Sequence, residues 1–262
     1  MNGSLQRIAA VARNQFDYSR ARPYTVFRVV VFPIAEVLVY ALITHFLVGD
    51  QGNVSDGQFI VVGSIVWILI NEFQRGFTLA FFDLLWDHTL MSVWTAPVRL
   101  WEWFVGAAIS SCMITGTTGV VVVTTASAFG VPMGRLGWSI VPAVVVGALL
   151  ALAISILVII CVMRWGHGAA ELAWGVGAML SPLSGAFVPV SALPGFLQPI
   201  ASVLPTTLIF TALREAWTGA GIPWASFGIA FAVAVMFLAF SFLALYRALA
   251  RFRLQVNVTR FI

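Results

Sequence analysis

The sequence predicts an all-α integral membrane protein with six spans, and three observations predict it. Hydrophobic residues fill 61% of the 262 positions and charged residues only 9%, with a mean hydropathy of +0.99. Soluble domains carry roughly 25% charged residues. Apolar runs of about 20 residues, the length a helix needs to cross a bilayer, recur along the chain. Every one of the fourteen basic residues is arginine, and they gather at the ends of those runs. One membrane domain, residues 1–262, is the natural division. A pI near 9.7 would raise nucleic-acid binding in a soluble protein. Here topology and anionic headgroups account for it, so no nucleic-acid partner is expected. Cys112 and Cys161 both lie inside apolar runs, which supports neither a disulfide framework nor a metal site. The first 22 residues lack the compact apolar core and cleavage site of a secretory signal.

Residues 1–22 read as an amphipathic helix in the headgroup plane. Leu5, Ile8, Ala9, Ala12 and Phe16 recur at helical spacing, with Arg7, Arg13, Asp17 and Arg20 on the remainder and Ser4 to cap the start. A frayed tail is the alternative. The first span covers residues 24–48, with Pro33 inside it and Glu36 near its middle. The second covers 58–82 and carries Asn71, Glu72, Gln74 and Arg75 in its latter half, so that end is not surrounded by lipid.

Residues 83–103, DLLWDHTLMSVWTAPVRLWEW, interrupt the apolar pattern. Their spacing predicts a short amphipathic helix with Leu84, Leu85, His88, Met91 and Val93 near one side, stopped by Pro97. A few loop residues suffice to reverse a membrane chain, so this stretch reads as a docking handle for a soluble partner. The third span is expected at 105–128, the fourth at 138–163, and a tight turn, RWGHGAAE, follows. The fifth begins near Leu172, is cut by Pro182 and ends near Val190. Pro194, Pro199 and Pro205 then divide residues 191–219 into pieces too short to cross. A re-entrant hairpin of half-helices at 193–203 and 206–217 fits, provided protein or water surrounds its irregular backbone. The sixth span covers 224–245.

Twelve of the fourteen arginines flank the N-terminus, the handle, the 164–171 turn and the C-terminal tail. Arg135 and Arg214 are the two elsewhere. The bias toward positive cytosolic segments places both termini, the handle and that turn in the cytosol, which requires an even number of spans. The absence of lysine fits a GC-rich bacterial genome, and the expected location is a bacterial cytoplasmic (inner) membrane, as the resemblance given below implies.

No catalytic constellation emerges. With no lysine, the chain has no glycine-rich phosphate loop ending in Lys-Ser or Lys-Thr. His45, His88 and His167 fall at different levels and share no metal site. A serine-protease reading of Ser184 with His167 fails on depth. Buried ionisable groups are better clues, since each costs about 2.5–3.5 kcal/mol at a helix centre. Glu36, expected to face other helices, reads as a contact on a translocation path or as a partner of a neighbouring arginine. Glu72 and Arg75 line the same path or pair with each other across one turn. Arg214 is an external gate or a headgroup anchor.

This arrangement resembles the ABC type-2 exporter permeases, the membrane subunits of drug, lipid and polysaccharide exporters. LLWDHTLMSVWTAPVRLWEW is similar to the family's coupling-helix region, and SPLSGAFVPVSALPGFLQPIASVLPTTLIFTALREA to its hairpin signature. Where many members have Gly-Thr-Leu-Glu, this chain has His88-Thr89-Leu90-Met91. The resemblance implies a pair of membrane subunits, identical or different, with an exit route between them, and two nucleotide-binding ATPase subunits that hold ATP and Mg. This chain would hold no cofactor of its own. Leu85, Trp86, His88, Leu90, Met91 and Trp94 would dock the ATPase in a helix-in-groove contact, with Arg164 and His167 as a second cytosolic contact. Phe187, Pro189, Pro194, Pro205 and Arg214 would shape an external gate. The cargo would be hydrophobic or amphipathic, since mid-span charge is scarce. A passive lipid scramblase or channel is the competing function.

Overall fold

The computed structural model describes residues 2–48, 54–86, 98–219 and 221–255, and these are mostly helical with no strand among them. The amphipathic helix is α1, Asn2–Ala21. The first span opens with α2, Pro23–Val26, passes through a π-helical turn, Phe27–Val31, and continues as α3, Phe32–Val48. The π turn lies immediately before Pro33. A proline ring crowds the carbonyl four residues back, and a widened turn relieves that crowding. The second span is α4, Val54–Trp86, and the third is α5, Leu100–Ala128. After a 3-10 stretch, Met133–Ser139, the fourth span is α6, Ile140–Trp165.

The fifth segment differs from expectation. It begins at Leu172 as foreseen, but α7 runs only Leu172–Leu180, followed by a 3-10 turn, Ser181–Leu183, and irregular backbone. Pro182 starts the break. Gly185 completes it with φ of 78°, a left-handed conformation that glycine adopts without steric cost. Among the described residues, five helices are therefore long and apolar enough to cross a membrane, and residues 172–183 form a shorter apolar one. In the hairpin, α8 begins at Gln198 rather than residue 193, and α9 spans Pro205–Trp217. The Gln198 side-chain amide donates to the Leu193 carbonyl at 2.9 Å, which stabilises the turn through Pro194 and Gly195 at the expense of an earlier helix start. The last span, α10, is longer than expected, Trp224–Gln255.

The second span is the axis of the bundle. Of its most apolar stretch 83% is buried inside the chain, against 22–50% for the other four long helices. It packs on α3, α5, α6 and α7, while α10 lies against α6 and α9, and α1 along α5. Close approach needs small residues at three points. A side chain at Gly63 would strike the Ala186 carbonyl, one at Gly177 the Asn71 side chain, and one at Gly106 would meet Val11 at 2.7 Å. Thus the broken segment is seated directly on α4, and α1 directly on α5.

Candidate functional site

At mid-bundle, Glu72 of α4 is wholly buried and lies between two arginines. Arg28 Nε from the π turn is 3.0 Å from one carboxylate oxygen, and Arg75 Nη2, one turn along α4, is 3.6 Å from the other. The expected Glu72–Arg75 pair is present, but Arg28 is the nearer partner. Sequence reasoning used Arg28 only to orient the chain. Its place five residues into an apolar run was the available signal, because an arginine there needs a partner.

Beside this cluster a cavity of about 310 Å³ opens between the first span, α4 and α7. Glu36, Tyr40, Trp67, Asn71, Arg75, Trp174 and Ser181 line it. The Arg75 guanidinium stands 5.3 Å from the centre of the Trp174 ring. Glu36 and Arg75, both singled out from sequence, thus share one wall system; Asn71 was noted only as a polar residue of the second span, and Tyr40 and Trp174 were missed. Glu36 faces other helices as expected, across the open cavity and not packed against them, and its side chain stays exposed. Among the described residues no ion pair reaches it. The first span leans on the broken segment at both ends of the cavity, through Tyr24 edge-on to Trp174 and Tyr40 stacked on Phe187 at 4.8 Å.

The handle's flanks are braced. Asp83–Trp86 continue α4 instead of forming a separate helix, and Leu100–Trp103 open α5. At one flank Arg22 pairs with Asp83 at 2.8 Å. At the other Arg7 holds the buried Glu102 carboxylate through two hydrogen bonds, 2.9 and 2.8 Å, which keeps the guanidinium more firmly protonated than usual. The same carboxylate accepts from the Arg99 amide, capping the helix. Leu85 is half-buried against the bundle core, and Trp86 is the last residue of α4. His88, Leu90, Met91 and Trp94 lie outside the described residues. Arg164 is exposed at the end of α6, and His167 sits in the 3-10 turn that follows.

At the opposite end, Pro205 is the first residue of α9, a position where its missing amide costs nothing. Pro189 and Pro194 are exposed beside it. Arg214 lies 4.0 Å from the Phe59 ring centre and reaches the Gly185 carbonyl at 3.5 Å. Arg135 lies 4.9 Å over Trp217, whose ring meets Phe59 edge-on. The two arginines outside the basic clusters therefore close this end by cation–π contact. Ser184 is buried, its hydroxyl donating to the Ser181 carbonyl and accepting from the Ala186 amide, so it serves the turn.

Residues 6–218, from α1 through α9, match the family model described as ABC-2 type transporter. No curated protein matches the chain.

Proposed function

The chain belongs to the ABC-2 type transporter family, and from that premise we propose that it is the membrane subunit of an ATP-driven exporter of a hydrophobic or amphipathic substrate. The chain is a multi-pass membrane protein. ATP and Mg would be bound by separate nucleotide-binding subunits, since these residues contain no lysine for a phosphate loop. A second membrane subunit completes the assembly. In this reading residues 172–192 make the fifth of six crossings as a short helix and irregular backbone, which a membrane tolerates where protein surrounds it. The burial of Ser184, Gly185 and Ala186 supports that. Both termini and the 83–103 segment then face the cytosol of a bacterial inner membrane, with the hairpin outside.

The observation that carries the reading is the bracing of that segment. Ion pairs from α1 and from the residue just past its end reach both of its flanks, Arg7–Glu102 and Arg22–Asp83. A loop that merely turned the chain would have no need of such bracing. A handle that receives force does, because a push must move packed elements together and not be absorbed locally. The test is Leu90→Asp or Met91→Asp in the chain co-expressed with its ATPase subunit. The expected result is normal membrane insertion with ATP hydrolysis no longer coupled to transport. Unchanged coupling and assembly in both variants would remove the handle.

A further inference from the structure

The cavity beside Glu72 carries fixed charge of both signs, held apart. One buried carboxylate, Glu72, is shared by two guanidinium groups. The surplus positive charge belongs to Arg75, whose side chain is 16% exposed against 5% for Arg28 and which lines the cavity. Glu36 lines the same cavity and comes no nearer than 4.0 Å to any described basic group. Opposite charges at this depth attract strongly and ordinarily collapse into contact. Here the space between them is open and walled by Tyr40, Trp67 and Trp174.

We propose that this cavity receives the zwitterionic headgroup of an amphiphile, its phosphate against Arg75 and its ammonium against Glu36. An anionic headgroup would leave Glu36 unpaired, and a cationic one Arg75. A zwitterion answers both. The aromatic rings suit the ammonium end, which is attracted to ring faces. The volume is at the small end for ligand pockets, room for a headgroup and not for a whole lipid. The chains have a place to lie. Phe32, Val39 and Ile43 stand four residues before, three after and seven after Glu36, one stripe of α3, and all three are exposed. The headgroup would thus enter from the side, at the point where this greasy stripe passes Glu36. This deepens the export reading by naming a substrate class, but the site does not require the ATPase, so it is testable on this chain alone.

The experiment is native mass spectrometry of the full chain in maltoside micelles, with three palmitoyl-oleoyl lipids of identical chains. These are phosphatidylcholine, phosphatidylglycerol and the trimethylammonium-propane analogue. The wild type retains phosphatidylcholine about tenfold more tightly than either singly charged lipid, the worth of one charge-assisted contact. Glu36→Gln moves the preference to phosphatidylglycerol, and Arg75→Gln moves it to the cationic lipid. Should Arg75→Gln fail to fold, Tyr40→Leu serves instead and weakens both trimethylammonium lipids while sparing phosphatidylglycerol. Equal retention of the three lipids, a wild-type preference for a singly charged one, or an unchanged preference in Glu36→Gln overturns the proposal. Any of these results leaves the coupling test of the export reading untouched.

Discussion

Replacing Glu72 by glutamine isolates the charge at the centre of the bundle without changing its volume. Glu72 has no exposed surface, and Arg28 beside it is 5% exposed. Removing one partner of a buried pair leaves the other charge uncompensated, at a cost of about 3–5 kcal/mol. Arg75 can turn toward the open cavity, so its loss adds little. Arg28 has no such exit, and the penalty falls on it. Taking about 4 kcal/mol, the folded state loses roughly a thousandfold in equilibrium constant. For a chain of this size each kcal/mol lowers the melting midpoint by about 2–4 °C, so tryptophan fluorescence in detergent should show a fall of about 8–16 °C. The second arm is Glu72→Gln combined with Arg28→Met, which removes the orphaned cation and should recover at least half of that fall. A shift below about 2 °C, or a double variant no more stable than the single one, would refute the claim that Arg28 is held by Glu72.

Two further outcomes are expected. Arg7→Gln should loosen α1 on α5 and speed amide hydrogen exchange in residues 2–21 relative to α6, because the charged link between α1 and Glu102 is then lost and only the weaker Ser4 hydroxyl contact still ties α1 to that carboxylate. Equal exchange in wild type and variant would mean that apolar contact alone seats α1. Cysteine-accessibility labelling should find sites at either terminus cytosolic and one at Asn53 external. Cytosolic labelling at Asn53 would overturn the six-crossing topology.

What the sequence made legible follows from range. Spans are announced by local apolar runs, so the third was expected from residue 105 and is observed from Leu100, extended by the Arg99–Glu102 capping box. Prolines marked where helices break, since their effect is confined to one turn. Contacts between distant residues left no local trace. Arg28 and Glu72 belong to different spans, and nothing near either names the other. Glu36 was expected to face other helices, and it does, but nothing local showed that an open cavity would lie between them. Pro182 announced a break but not its extent. That α7 never resumes depends on Gly185 and on the close seat that Gly63 offers the Ala186 carbonyl.

The ion pairs of Arg7, in α1, and of Arg22, just past its end, have a mechanical consequence. Arg7 and Arg22 are fifteen residues apart, about 22 Å along a helix, and each is pinned to a different span. The ends of α4 and α5 and the bar of α1 across them form a triangulated frame. A hinged rectangle folds under a sideways load, but a braced one turns as a body. Any load delivered between residues 86 and 100 therefore reaches α1 as a tilt. Pro23 follows Arg22 directly, so the tilt passes through that corner into the first span. That helix carries both Arg28 and Glu36. The frame thus gives the chain a route from its braced end to the charged cavity that bypasses the stiff, fully packed axis of α4.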